Sequence, residues 1–219
     1  MTVRLRNALV TLLIVVAANL TVSPFADRLA GLSVDTLFWL RDTGFGPRHK
    51  PQSSPTVVIA IDEETYRRPP FQSLPKVMWS NEIAAVLDAV LAGGAKVIGF
   101  DVVFPTSIEP KLRGFDRMML IALRKASRAG KMVLGKVQHQ HKPISPFAGY
   151  SFAVGHQRNI RPLNMIEDDD GVLRRLPLFF RSRDLKKGER NEPSMALEIA
   201  SRVIGKQPGL NEAGDVVFN

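Results

Sequence analysis

Two aspartates stand where short apolar runs end or are interrupted, and carboxylates so placed can hold a ligand. Asp62 follows TVVIAI at 56–61, and Asp101 interrupts KVIGFDVVF at 96–104. Both runs are rich in β-branched residues and read as buried strands. A helical pattern separates them, so the two strands are expected to run parallel, with the aspartates at or near their carboxyl ends. In open α/β sheets ligands bind in the crevice beyond those ends. With the adjacent Glu63, the candidate ligand-binding set is therefore Asp62, Glu63 and Asp101. Such oxygens suit a cationic ligand or a hard metal such as calcium or magnesium. The competing reading is that the aspartates cap loops or accept backbone N–H groups, as aspartate does in turns.

Other polar residues offer less. Glu167 to Asp170 is a run of four acids followed by Gly171. A calcium loop needs oxygens at alternate positions and a downstream glutamate, so that pattern fails. Asp-Gly between apolar runs signals a hairpin turn instead, with Arg174 and Arg175 placed to neutralise the acids. His139 and His141 alternate and would share one strand face. A zinc site would need more ligands, and His49 and His156 are distant in sequence. The chain contains no G-x-S-x-G elbow, Walker loop, H-E-x-x-H or G-x-G-x-x-G, and Gly93-Gly94 precedes a strand where a dinucleotide fingerprint would follow one. No catalytic residue, resident metal or cofactor is expected, and the chain is not read as an enzyme. A soluble hydrolase-like α/β enzyme would need a nucleophile and base that cannot be assigned.

The whole chain sets the frame for these residues. Its 219 residues suffice for one domain with a hydrophobic core. The net charge of +9 is spread along the sequence, with no dense basic helix and no nucleic-acid-binding motif. A basic face near anionic lipid accounts for it. There is no cysteine, which removes disulfides and thiolate chemistry and fits, weakly, an oxidising compartment.

Near the amino terminus, residues 8–22 read ALVTLLIVVAANLTV without a charge, after Arg4 and Arg6 and before Asp27 and Arg28. A helix needs about 17 apolar residues at least to cross a bilayer, and Asn19, Thr21 and Pro24 weaken the outer end. A signal anchor with its arginines in the cytoplasm, a cleaved signal peptide cut near Ala17 and Ala18, and a buried helix all remain open. The organisation expected from the anchor is a cytoplasmic tail and transmembrane helix at 1–29, then an exported domain at 30–219. That makes a single-pass protein of the inner membrane with its C-terminal domain in the periplasm.

The elements that would position the candidate site follow from hydrophobic periodicity. Helices are expected at 30–41, 81–91, 115–129 and 193–203, the last three closed by glycines. Strands are expected at 56–61, 96–104, 132–137, 151–154 and 215–218, with a hairpin around the 168–171 turn. Proline-rich 66–77 is a loop. The predicted fold class is α/β: a βαβαβ core sheet with helices on its faces, plus a C-terminal β-hairpin and helix, preceded by one N-terminal transmembrane helix.

Several segments, in this order and spacing, are similar to one known family. They are FWLRD at 38–42, VVIAIDEETY at 57–66, AVLDAVLAGGAKVIGFDVVFP at 85–105, FDRMMLIALRKASRAGKMVLG at 115–135, EDDDGVLRRLPLFF at 167–180 and EPSMALEIA at 192–200. The stretch 34–203 resembles the CHASE2 domain, an extracytoplasmic sensory module of bacterial receptors. The resemblance implies one N-terminal membrane helix, a sensory domain outside, three further membrane helices and a cytoplasmic effector such as a nucleotide cyclase or a kinase. It also implies a homodimer that senses a small-molecule or protein ligand while anchored in membrane lipid, with no nucleic-acid partner. The chain departs from this plan in ending at Asn219. It is then either part of a longer receptor or an accessory subunit that uses its domain as an outer-face interaction module among other membrane protein subunits. The loop LPKVMWSNE at 74–82 also diverges: it keeps Pro75 and Trp79 but lacks the arginine the family tends to place there.

Overall fold

The structure is a computed structural model that describes residues 3–22, 24–46, 54–138, 142–184 and 188–218. The chain divides into two compact units, Met1–Ile59 with Ile166–Leu176, and Ala60–Met165 with Pro177–Asn219.

The first unit holds two helices, α1 (Val3–Val22) and α2 (Pro24–Phe45). The apolar amino-terminal run is helical, as its composition requires. Among the described residues no helix is long and apolar enough to cross a membrane. Arg4 and Arg6 occupy the opening turns of α1, and Asn19 and Thr21 the closing ones, so only the middle is apolar. The Asn19 amide donates back to the Val15 carbonyl at 2.9 Å. Helix α2 begins on Pro24, whose fixed φ and missing N–H suit a first helical position. It ends where Gly46 turns left-handed at φ 74° and donates to the Asp42 carbonyl.

The acidic run in the same unit forms the expected turn. Gly171 donates to the Asp168 carbonyl, Asp168 donates to Val172, and Ile166 bridges Arg175. The flanking segments make this single bridge instead of a full ladder. Arg174 reaches from the turn to α2. Its side chain is only 7% exposed, and its guanidinium binds Asp35, Asp168 and Asp170. Gly31 makes room for it: a Cβ there would lie 3.0 Å from the guanidinium carbon.

The second unit is built on a three-stranded parallel sheet of β1 (Ile98–Phe100), β2 (Met132–Lys136) and β3 (Ile160–Pro162), in that order. Before β1 come α3 (Glu63–Arg67) and α4 (Ser80–Ala92); α5 (Arg117–Arg128) joins β1 to β2, and α6 (Ala148–Ala153) precedes β3. The expected first strand is absent from this sheet. Residues 56–61 carry no strand pairing, and Val57 and Val58 are 85% and 82% exposed. The βαβαβ plan is thus met only in part, and the third strand is β3, which the sequence left unassigned. The predicted strand at 151–154 lies mostly in α6. Four apolar residues cannot distinguish helix from strand by periodicity.

Alternation along the strands explains the packing. Met132 and Leu134 face a core shared with Ile83 and Leu87 of α4 and Met119 and Leu123 of α5. Gly99 faces the opposite side, where a Cβ would come within 2.5 Å of Ile199 on α7 (Met195–Ile204). Helices therefore cover both faces, as expected. Before α7, strands β4 (Phe179–Asp184) and β5 (Gly188–Pro193) form a separate antiparallel hairpin, and after it β6 (Pro208–Leu210) pairs with β7 (Val216–Phe218).

Candidate functional site

Asp62 and Glu63 stand together at the start of α3. The Asp62 carboxylate accepts from the Thr65 N–H at 2.9 Å, and the Thr65 hydroxyl accepts from the Asp62 N–H at 3.3 Å, a reciprocal capping box. The Thr65 N–H foremost, and then the Thr65 hydroxyl, which donates to the same carboxylate at 2.9 Å, hold the Asp62 carboxyl below its ordinary range. Glu63 pairs loosely with Arg67 at 3.8 Å, and Glu64 pairs with Arg68. Asp62, Glu63, Glu64, Arg67 and Arg68 line an open concavity of about 670 Å³. Asp101 is exposed after β1 and is not among its lining residues. The structure thus joins Asp62 to Glu63 and leaves Asp101 apart. No group of three His, Asp or Glu among the described residues is arranged to hold a metal, and His139 and His141 lie outside the described residues.

Two buried polar clusters occupy the carboxyl edge of the sheet instead. Because α4 leads into β1 and α5 into β2, both helices run back along the sheet and present their N-termini at that edge. There Asp116, the N-cap position of α5, is wholly buried. Its carboxylate accepts from the Ser80 hydroxyl at 2.7 Å, the Tyr150 phenol at 2.6 Å and the Ser107 hydroxyl. The Glu109 carboxylate accepts from the Gly114 and Asp116 N–H groups at 2.7 and 2.9 Å. Three hydroxyls thus replace the water that a buried carboxylate would otherwise need. Burial first, and then the bond to Asp116, push the Tyr150 phenol well above its usual range. This cluster fastens the starts of α4 and α5 to α6.

The second cluster centres on Lys136, the last residue of the central strand. Lys136 and Glu192 are 4% and 2% exposed, and the ammonium lies 2.7 Å from Glu192 Oε2. The ammonium also donates to Gln157 Oε1 at 3.2 Å, and the Gln138 amide donates to the same Glu192 oxygen at 3.4 Å. Glu192 Oε1 is buried and has no hydrogen-bond partner among the described residues. Gln138 is itself fixed by Asn164 through two backbone hydrogen bonds of 2.7 and 2.9 Å.

Neither cluster was singled out from the sequence. The available signals were a lysine closing the otherwise apolar MVLGK and an aspartate set between Phe115 and the apolar face of α5. Glu192 lies 56 residues from Lys136, and Tyr150 and Ser80 lie 34 and 36 residues from Asp116.

No curated protein and no solved structure matches the chain. One family model does, that of the CHASE2 domain, over residues 9–216.

Proposed function

The chain belongs to the CHASE2 domain family, and from that premise we propose that it is the membrane-anchored sensory module of a bacterial signalling receptor. CHASE2 domains are extracytoplasmic sensory domains, and the match over nearly the whole chain carries this reading. The domain acts by binding and passes a conformational change to its N-terminal helices.

Anchoring is supported by the middle of α1, where Leu12, Leu13 and Ile14 are all more than half exposed. Exposed apolar side chains on a helix are suited to lipid, and Arg4 and Arg6 ahead of them in the sequence suit the anionic cytoplasmic surface.

Alkaline carbonate extraction of cell membranes tests the anchor. The full chain is expected to stay in the membrane pellet, and a variant beginning at Pro24 to be released. Release of both would remove the anchor. Detergent extraction of the full chain within a larger particle of unlike subunits would favour an accessory-subunit role over a receptor.

A further inference from the structure

We propose that the Lys136–Glu192 pair is a binding site for a small zwitterion of the α-amino acid class, an assignment that rests on the sensory reading above. The pair stands at the carboxyl end of the central parallel strand, the place where open α/β sheets receive ligands. Its chemistry is complementary to a zwitterion at both ends. Among the described residues Glu192 Oε1 has no donor, and an ammonium group supplies one. Lys136 spends one of its hydrogen bonds on the amide oxygen of Gln157 at 3.2 Å, and a carboxylate is a stronger acceptor for the same proton.

Charge balance selects the class. The pair is neutral as a unit, so a ligand with one charge of each sign leaves the buried site neutral. A lone cation or lone anion would bury an uncompensated charge. A carboxylate oxygen kept buried without a donor is costly, and a buried ion pair is a poor source of stability in itself. A binding role explains both features.

Access follows from what surrounds the pair. Gln157 is exposed, so its side chain can withdraw into solvent and leave the ammonium open. Glu192 belongs to β5, which pairs with β4 in a sheet of its own and is not hydrogen-bonded into the parallel sheet. Separating Glu192 from Lys136 therefore breaks no ladder of the parallel sheet.

The test uses the full chain in mild detergent, with thermal unfolding and calorimetric titration against each standard L-amino acid at millimolar concentration. Methylamine and acetate serve as single-charge controls. At least one amino acid is expected to raise the melting temperature and to bind, and neither control to do so. Glu192→Gln, which keeps the shape, should weaken that binding by about tenfold or more. A second variant, Lys136→Met with Glu192→Leu, removes both charges without stranding either; folded by circular dichroism, it should show no binding. Failure of every amino acid, equal effects of the controls, or full binding by the folded double variant would overturn the zwitterion site. Those results leave the anchoring experiment untouched, so the two readings fail separately.

Discussion

Arg174 and Asp35, 139 residues apart in sequence, meet in a two-pronged ion pair: Nε lies 2.8 Å from Oδ1 and Nη2 lies 2.7 Å from Oδ2. The same guanidinium holds both oxygens of Asp170 at 2.8 Å. One cation thus ties α2 to the 168–171 turn. Residues 166–176 are an excursion of the chain, entered from β3 and leaving toward β4.

Arg174→Ala should free this tie. Amide hydrogen exchange in α2 near Asp35 and in 166–176 is expected to rise at least several-fold, while α4, α5 and β2 keep their protection. Exchange that is unchanged in α2 would deny the tie any mechanical role.

The tie should also be acid-labile. The Arg174 hydrogen bonds hold Asp35 below its ordinary range and draw Asp170 down to about 2. A depressed carboxyl contributes stability that is complete above the unfolded value of about 3.9 and is lost as pH falls through the folded one. The window is thus about pH 4 to 2. Carbon NMR titration of Asp170 should give a midpoint near 2, and the midpoint should return toward about 3.9 in Arg174→Ala.

Gly31→Val tests the same contact from the other side. Its Cβ would lie 3.0 Å from the guanidinium carbon, so Arg174 must be displaced. The exchange pattern should resemble that of Arg174→Ala, and a pattern like the native protein's would show that α2 yields instead.

At the Asp116 cluster the order of two substitutions is the informative result. Asp116→Ala strands Ser80, Ser107 and Tyr150 hydroxyls together, at about 1–3 kcal/mol for each group that finds no other partner. Tyr150→Phe removes one donor and leaves two on the carboxylate, a loss of about 1 kcal/mol. Urea unfolding should rank Asp116→Ala well below Tyr150→Phe. Equal losses would mean that Asp116 does not organise the helix starts.

The parts legible in the sequence were those with enough residues to display a period. The helices expected at 81–91, 115–129 and 193–203 are α4, α5 and α7, each stopped by a glycine or just before one. The apolar strand at 132–137 is β2, and 215–218 ends the chain as β7. The Asp-Gly turn is likewise where its chemistry puts it. Short apolar runs misled: 56–61 is exposed and 151–154 is mainly helical. The β4–β5 hairpin was invisible because FFRSRD and GERNEP carry charge on both faces and lack alternation.

Of the predicted site residues, Asp101 follows a parallel strand while Asp62 follows a segment that is in no strand, and the residues that meet at the carboxyl edge were not predicted. Asp62 could be read as a cap because Thr65 is three positions away. Lys136 with Glu192, and Asp116 with Tyr150, depend on tertiary contacts that leave no local pattern.

The central claim, an extracytoplasmic sensory domain held by its N-terminal helix, is tested most directly by fusing a topology reporter after Asn219. Alkaline phosphatase fused there should be active and green fluorescent protein exported by the same route should be dark, because the first folds only outside the cytoplasm and the second only within it. An inactive phosphatase with a bright fluorescent fusion would place the domain in the cytoplasm and contradict the account.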